Sequence, residues 1–246
     1  MWNDKTVSVI FPCYNEEKAV FKTIHDFYNT GYVDEIIVID NNSTDRSAEL
    51  VMTTEAKLIS EKRQGYGFAL QRGLAEAEGD LVIMAEPDGT FLAKDIIKLL
   101  AYADDCDMVL GTRTKKPMIK EDSNMGLLLR SGNWLVAKML EFLFNMPSLS
   151  DCGCTMRLIR RPLLNSLHPH LTVGTSHFLP EMVILGQYLG AKMIEIPINY
   201  SGRVGTSKIT GNMKNTIRVA FNMIGLILYY RIRFWLGLGA RAKTKE

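Results

Sequence analysis

The sequence predicts an α/β fold: a mostly parallel sheet with helices on both faces, followed by a C-terminal amphipathic helix. Short apolar segments with the length of buried strands lie at 7–11, 35–39, 57–59, 81–85 and 108–110. Amphipathic stretches typical of helices separate them, at 16–28, 45–54, 65–78 and 92–101. Because strands that are apolar throughout must be covered on both sides, this alternation indicates a doubly covered parallel sheet.

Four predicted strands end in short polar stretches. These read PCYNE at 12–16, DNNS at 40–43, EPDGT at 86–90 and GTR at 111–113. In open α/β sheets, ligands bind beyond the carboxyl ends of the strands. The sequence therefore predicts a ligand site along this edge.

The second half contains fewer strand signals. The charged segment 112–123, which carries Pro117, is expected to be a mobile loop. Further elements are predicted as a helix at 127–145, a turn and short strand at 151–161, a helix at 178–189 and a strand at 193–199. Gly, Ser, Thr and basic residues dominate 201–212, which predicts a flexible active-site loop. We divide the chain into a domain at 1–210, with halves 1–111 and 112–210, and a tail at 211–246.

The tail segment 217–238 predicts a helix at a membrane interface. Its uncharged part, 219–230, would be about 18 Å long as a helix, against about 30 Å of hydrocarbon in a bilayer. A narrow polar stripe recurs at helical spacing: Lys214, Arg218, Asn222, Gly225, Tyr229 and Arg233. A helix lying in the interface with its cations toward the headgroups fits this pattern. The alternative is a helix packed on its own domain or in a dimer interface.

The net charge of +2 hides two opposed halves. Residues 1–123 carry 14 Lys and Arg against 22 Asp and Glu, whereas residues 124–246 carry 15 against 5. An acidic half suits a metal, and a basic half suits phosphates or an anionic membrane. Nucleic acid is disfavoured, because dense basic runs with interleaved aromatics are missing from the sequence. The four cysteines lack a zinc spacing and are expected to be buried in a reducing compartment.

Glu86 and Asp88 are the strongest candidates for chemistry in the sequence. Both can reach one hard divalent cation, whose coordination a diphosphate would complete. Solvated turn residues are the alternative, but the position after an apolar strand and before Gly89 favours the metal site. Asp40 is a candidate ligand of a nucleobase or ribose, or a helix cap.

Taken in order, the motifs resemble those of the inverting family 2 glycosyltransferases, whose fold is the Rossmann-like GT-A fold. The resemblance rests on FPCYNE at 11–16, IDNNSTD at 39–45, GYGFA at 65–69 and EPDG at 86–89. Later segments are similar to the dolichol-phosphate mannosyltransferase and polyprenyl-phosphate glycosyltransferase branch. They are Arg113, DCGCTMR at 151–157 and RVGTSK at 203–208. The resemblance spans residues 6–210.

The resemblance implies roles for individual residues. Those implied to bind the donor are Pro12, Tyr14, Glu16, Asp40, Glu86, Pro87 and Asp88. The implied cofactor is Mg²⁺ or Mn²⁺, held near Glu86, Asp88 and Thr90. Those implied to face the acceptor phosphate and the leaving group are Arg113, Arg130, Arg203 and Lys208. The family usually has Asp-x-Asp followed by Gln, so Glu86 and Thr90 leave direct ligation by Glu86 open.

The resemblance implies transfer of a sugar, with inversion, from GDP-mannose or a UDP-hexose to a polyprenyl or dolichyl phosphate, by a peripheral enzyme on the cytoplasmic face of a membrane. Such a phosphate is already largely anionic at neutral pH, so no strong general base is needed. For a hydroxyl acceptor, Asp151 is the candidate base, with turn capping as the equal alternative. The alternative functions are transfer to a soluble or polysaccharide acceptor and non-catalytic nucleotide binding. A homo-oligomer is also possible. A nucleotidyltransferase would need a Gly-rich loop where this chain has PCYNE.

Overall fold

The structure is a computed structural model that describes residues 1–120, 127–205 and 213–238. Within these ranges, seven strands form one sheet. They are β1 (Val7–Cys13), β2 (Glu35–Asp40), β3 (Lys57–Ser60), β4 (Leu81–Met84), β5 (Met108–Thr112), β6 (Arg157–Arg160) and β7 (Met193–Pro197). Their order across the sheet is β3-β2-β1-β4-β6-β5-β7. β6 is antiparallel to both of its neighbours, and the other pairings are parallel.

The helices alternate with the strands up to β5, as the sequence predicts. They are α1 (Val20–Tyr28), α2 (Ser47–Met52), α3 (Tyr66–Glu76), α4 (Ile96–Leu100), α5 (Leu127–Phe144), α6 (Arg161–Leu167), α7 (Phe178–Tyr188) and α8 (Met213–Trp235). The structure differs from the sequence prediction in two helices that follow strands. α1 begins at Val20 rather than at residue 16, because residues 14–19 form a loop that is hydrogen-bonded to the segment 43–47 after β2. The short α6, directly after β6, is not in the sequence prediction.

Strand residues alternate between two separate cores, one on each face of the sheet. Ile10 belongs to the core that contains α3 and α5–α8, whereas Val9 and Phe11 belong to the core that contains α1, α2 and α4. This is the period of two expected for a strand covered on both faces. The predicted doubly covered sheet is therefore present.

One side of α8 packs against the rest of the domain, and another side is exposed. Met223, Ile227 and Tyr230 are buried in the larger core, and the Tyr230 hydroxyl donates a 2.7 Å hydrogen bond to the buried Glu181 on α7. Phe221 and Trp235 are 70% and 79% exposed. The helix thus packs on its own domain with one side and presents apolar side chains on another. Within the described ranges, no helix is long and apolar enough to cross a membrane.

The described part of the predicted loop 112–123 is tethered to the segment after β7. Residues Lys116–Met118 form a single 3₁₀ turn. The Tyr200 N–H donates to the Met118 carbonyl, and the Lys120 N–H donates to the Tyr200 carbonyl, both at 2.9 Å. All four cysteines are free and buried, as predicted from the sequence.

Candidate active site

The ends of β1 and β2 form one side of the site. Parallel pairing sets Pro12 beside Ile39 and Cys13 beside Asp40. The following loops are joined by hydrogen bonds: Asn15 Oδ1 accepts the Thr44 N–H at 2.8 Å, and the Glu16 N–H donates to Ser47 Oγ at 2.7 Å. Half-buried Tyr14 lies in the first of these loops. The predicted nucleoside-binding residues Pro12, Tyr14, Glu16 and Asp40 therefore lie at one edge of the sheet.

Asp88 lies in the turn after β4 and is only 1% exposed. Its Oδ1 accepts the Thr90 N–H at 3.0 Å and the Thr90 hydroxyl at 2.6 Å. Gly89 has a φ of +79°, a left-handed conformation that glycine adopts without strain. The turn, which begins with Glu86 and Pro87, therefore fixes the orientation of the Asp88 carboxylate, and Thr90 supports that carboxylate.

Arg203 connects this turn to the loop after β1. Its Nη1 donates to Asp88 Oδ2 at 2.8 Å, and its Nη2 pairs with Glu16 Oε1. The backbone adds two contacts, from the Val204 N–H to the Asp88 carbonyl and from the Ser201 N–H to the Thr90 carbonyl, both at 2.9 Å. Lys208, predicted to act with Arg203, lies outside the described residues.

Glu86 bonds to one hydroxyl from each half of the domain. Its Oε1 accepts hydrogen bonds from the Thr155 hydroxyl at 2.6 Å and from the Tyr66 hydroxyl at 3.3 Å. Tyr66 and Thr155 belong to the motifs at 65–69 and 151–157, but the sequence predicts no role for either of them. The longer side chain of Glu86, compared with the usual aspartate, spans from the acidic turn to these hydroxyls.

The carboxylates Glu16, Glu86 and Asp88 form an acidic cluster. Burial raises the pKa of Glu16 to about 8; Arg203 opposes this rise, and the charges of Asp88 and Glu86 add to it. Burial and the charge of Asp88 raise the pKa of Glu86 to about 7. A divalent cation bound here would lower both pKa values and keep the carboxylates ionised, and oxygen ligands of this kind fit a hard divalent cation. Among the described residues, no group of three His, Cys, Asp or Glu side chains is placed to hold a metal. A cation bound by two of these carboxylates would need water and a diphosphate as further ligands.

A second group pairs the partly exposed Arg113 with the buried Asp151. Arg113 Nε and Nη2 donate to Asp151 Oδ2 and Oδ1 at 2.8 and 2.9 Å, and the guanidinium lies 5.3 Å from the centre of the Tyr200 ring. The Asp151 N–H in turn donates to Glu195 at 2.9 Å. Asp151 also accepts the Gly153 N–H at 3.2 Å, which is the turn-capping role. Asp151 is fully buried behind Arg113, so this geometry fits a support for Arg113 better than a general base.

Arg130 lies on α5, and its position is set by the segment after β5. Its Nη2 donates to the Thr114 carbonyl at 3.0 Å. The Thr114 hydroxyl in turn bonds to Ser150, next to Asp151. Arg113 and Arg130, both predicted to face the acceptor phosphate, are therefore linked through one hydrogen-bond network.

The acidic cluster predicts a pH-dependent stability. The folded-state pKa of Glu86, about 7, lies above its ordinary value of 4.5, so its contribution to the free energy of unfolding is complete below about pH 4.5 and is lost as pH rises through 7. We expect the melting temperature of the metal-free protein to fall over this window, and to fall less in Glu86→Gln. Thermal unfolding of both proteins between pH 5 and 8 measures this. Parallel curves would contradict the prediction.

Comparison with known proteins identifies the chain's relatives. Residues 8–167 match the family model described as glycosyl transferase family 2. An uncharacterized glycosyltransferase of Mycobacterium tuberculosis is 29% identical over 213 residues, 86% of this chain and 93% of that protein. A dolichyl-phosphate hexose transferase of Haloferax volcanii is 29% identical over 205 residues, 82% and 86% of the two chains. The structure of glucosyl-3-phosphoglycerate synthase from M. tuberculosis in complex with Mn²⁺, UDP and phosphoglyceric acid matches with a TM-score of 0.71 at 20% identity, covering 93% and 78%.

The fold and these relatives define a glycosyltransferase with the GT-A fold. The chain belongs to glycosyl transferase family 2, since the family model covers more than half of its length. The fold class and the enzyme class predicted from the sequence are both confirmed.

Proposed function

We propose that this enzyme transfers a hexose, with inversion, from a nucleoside diphosphate sugar to the phosphate of a polyprenyl or dolichyl lipid. The observation that carries the proposal is the pairing of two sites: an acidic cluster at the strand ends and Arg113, a partly exposed arginine whose one carboxylate partner among the described residues is Asp151. A phosphate acceptor needs cations rather than a base, because it is already anionic. The names of relatives, a dolichyl-phosphate hexose transferase among them, support this acceptor.

Each group of residues has a part in the proposed reaction. Pro12, Tyr14 and Asp40 hold the nucleoside, while Glu86 and Asp88 would hold Mg²⁺ or Mn²⁺. A bound divalent cation would supply charge stabilisation for the departing diphosphate. Arg113, Arg130 and, outside the described residues, Lys208 bind the acceptor phosphate. One acceptor oxygen attacks the anomeric carbon as the bond from that carbon to the diphosphate oxygen breaks, which inverts the configuration.

A direct assay tests the proposed reaction. UDP- and GDP-sugars are first screened by thermal shift with Mn²⁺, because a ligand of the folded state raises its apparent stability. The donor that stabilises the protein is then offered with a polyprenyl phosphate or with the matching polyprenol. We expect product only from the phosphate. Equal rates with the polyprenol would contradict a phosphate acceptor.

A soluble phosphate acceptor is the second candidate. It is favoured by the likeness in fold to a synthase crystallised with phosphoglyceric acid. The same assay, run with 3-phosphoglycerate in place of the lipid, separates the two candidates. Turnover of 3-phosphoglycerate at a rate above that of the lipid phosphate would favour the soluble acceptor.

We also propose that the enzyme is peripheral, bound to the cytoplasmic surface of a membrane through α8. The exposed apolar residues of this helix recur at helical spacing: Phe221, Leu228, Ile232 and Trp235. Exposed arginines at 218, 231 and 233 flank them. Apolar side chains bordered by cations favour insertion into an anionic lipid interface. A homo-oligomer that covers the same surface is the alternative.

Substitutions on the exposed side of α8 test this surface without disturbing the core. Deleting the helix would remove Met223, Ile227 and Tyr230 from the core, so point changes are cleaner. We expect the triple variant Phe221→Ser, Ile232→Ser and Trp235→Ser to stop sedimenting with anionic vesicles and to keep its melting temperature. The control is Met52→Ser, an exposed apolar residue on α2. If the triple variant sediments like the wild type, or the wild type is a stable dimer that the variant disrupts, the membrane proposal is wrong.

A further inference from the structure

We infer that Arg203 occupies the cation position of the acidic cluster before the donor binds, and that the metal must displace it. This inference rests on the proposed divalent-cation site at Asp88. It assigns Arg203 a role that precedes catalysis, in addition to the contact with phosphate expected from the sequence. Arg203 would then neutralise Glu16 and Asp88 until a metal binds, and would afterwards help to bind the donor or acceptor.

The first support is the position of the guanidinium. Arg203 donates to Asp88 Oδ2 at 2.8 Å and pairs with Glu16, so it bridges two carboxylates that come from different strand ends. Asp88 Oδ1 is already taken by Thr90. Both lone pairs of Oδ1 are therefore used, so a metal would bind Oδ2, where the guanidinium of Arg203 lies against it and would repel a divalent cation.

The second support is the charge of the cluster. Asp88 is 1% exposed and Glu16 is 8% exposed, and Arg203 is the one Lys or Arg paired with either carboxylate within the described ranges. Buried carboxylates without a counter-charge are costly. A divalent ion carries twice the charge of a guanidinium, so it can replace Arg203 and leave the cluster better neutralised.

The third support is the way in which the loop is attached. The Val204 N–H bonds to the Asp88 carbonyl and the Ser201 N–H to the Thr90 carbonyl, so the loop is tied to the turn that would hold the metal. A Cβ on Gly89 would lie 3.1 Å from Val204 Cγ2, which shows how closely the loop covers the turn. Arg203 Nε, by contrast, is buried without a hydrogen-bond partner in the part of the chain that the structure describes. The guanidinium of Arg203 is thus held by its two Nη atoms while its Nε lacks a hydrogen bond to any described residue. This incomplete hydrogen bonding makes Arg203 easier for a metal to displace.

Direct binding of Mn²⁺ to the nucleotide-free protein tests the inference. If Arg203 occupies the site most of the time, the apparent affinity of the wild type is reduced by the fraction of molecules that are open. We expect Arg203→Ala to bind Mn²⁺ about 10-fold more tightly than the wild type. Arg203→Lys should lie between the two, because a lysine cannot bridge two carboxylates as a planar fork can. Electron paramagnetic resonance of free Mn²⁺ or calorimetry gives these affinities without any turnover.

A second variant separates displacement from a simple loss of charge. Val204→Pro keeps Arg203 but removes the N–H that bonds to the Asp88 carbonyl, so it loosens the loop at constant charge. We expect it to raise the Mn²⁺ affinity about 3-fold, a partial release of the same competition. Arg46→Ala, which removes an exposed arginine paired with Glu49, is the control and should leave the affinity unchanged.

The outcomes are distinct from those that test the proposed function. Unchanged or weaker Mn²⁺ binding in Arg203→Ala overturns the inference, as does a gain in Arg203→Ala with none in Val204→Pro. Tight Mn²⁺ binding that survives Asp88→Asn also overturns it, because the ion would then lie elsewhere. Tighter binding in both loop variants supports the inference, even where no sugar transfer is detected. Transfer that proceeds with unchanged affinities supports the proposed function alone.

Discussion

Asp88→Asn is expected to abolish metal-dependent sugar transfer, with a loss of turnover on the order of 10³-fold. The carboxylate lies at the centre of the acidic cluster, 1% exposed, between Thr90 and Arg203. Asparagine keeps the size of the side chain and one oxygen that can accept from Thr90. It lacks the negative charge that a divalent cation requires. The fold should therefore persist while the metal and donor sites fail.

The measurement for Asp88→Asn combines turnover, donor binding with Mn²⁺ and thermal unfolding. Asp26→Asn, a surface carboxylate paired with Lys22, is a matched control and should behave like the wild type. Glu86→Gln should lose less turnover than Asp88→Asn, because Glu86 is engaged by Thr155 and Tyr66. Metal-dependent activity retained in Asp88→Asn would show that the metal site has been misplaced.

Arg203→Ala is expected to lower turnover by a factor on the order of 10²–10³, the cost of one preorganised electrostatic contact. With a donor bound, the guanidinium released from Asp88 would lie next to the diphosphate and the acceptor phosphate. Arginine can bind phosphate oxygens in a bidentate way, so its loss should affect the transition state most strongly. Donor binding should change much less, since Asp40, Asp88 and the loop after β1 remain.

Steady-state kinetics against the lipid phosphate measure this loss. A fall in kcat with a small change in the donor KM is the expected pattern, and Arg203→Lys should recover part of the rate. Arg46→Ala again serves as the control. Near-wild-type turnover in Arg203→Ala would leave the loop at 201–205 without a part in transfer.

The sequence by itself determined the frame of the protein. Runs such as 7–11 and 81–85 are short and apolar throughout, and the helices between them show helical periodicity, so the doubly covered sheet follows from local patterns. The polar strand ends predicted the edge of the sheet at which the candidate site lies. The ordered motifs then indicated the family. These features can be predicted because each is encoded by residues that lie close together in the chain, within one strand or one or two turns of a helix.

The tertiary structure decided which side chains meet. Arg203 contacts Asp88 across 115 positions and Glu16 across 187, and Thr155 contacts Glu86 across 69. No local period encodes such pairs, since they depend on how the loops close over the sheet edge. The same holds for the antiparallel insertion of β6 and for α8, whose apolar residues divide between the core and the surface. Hydrophobicity alone does not distinguish those two sides; contact with α5 and α7 does.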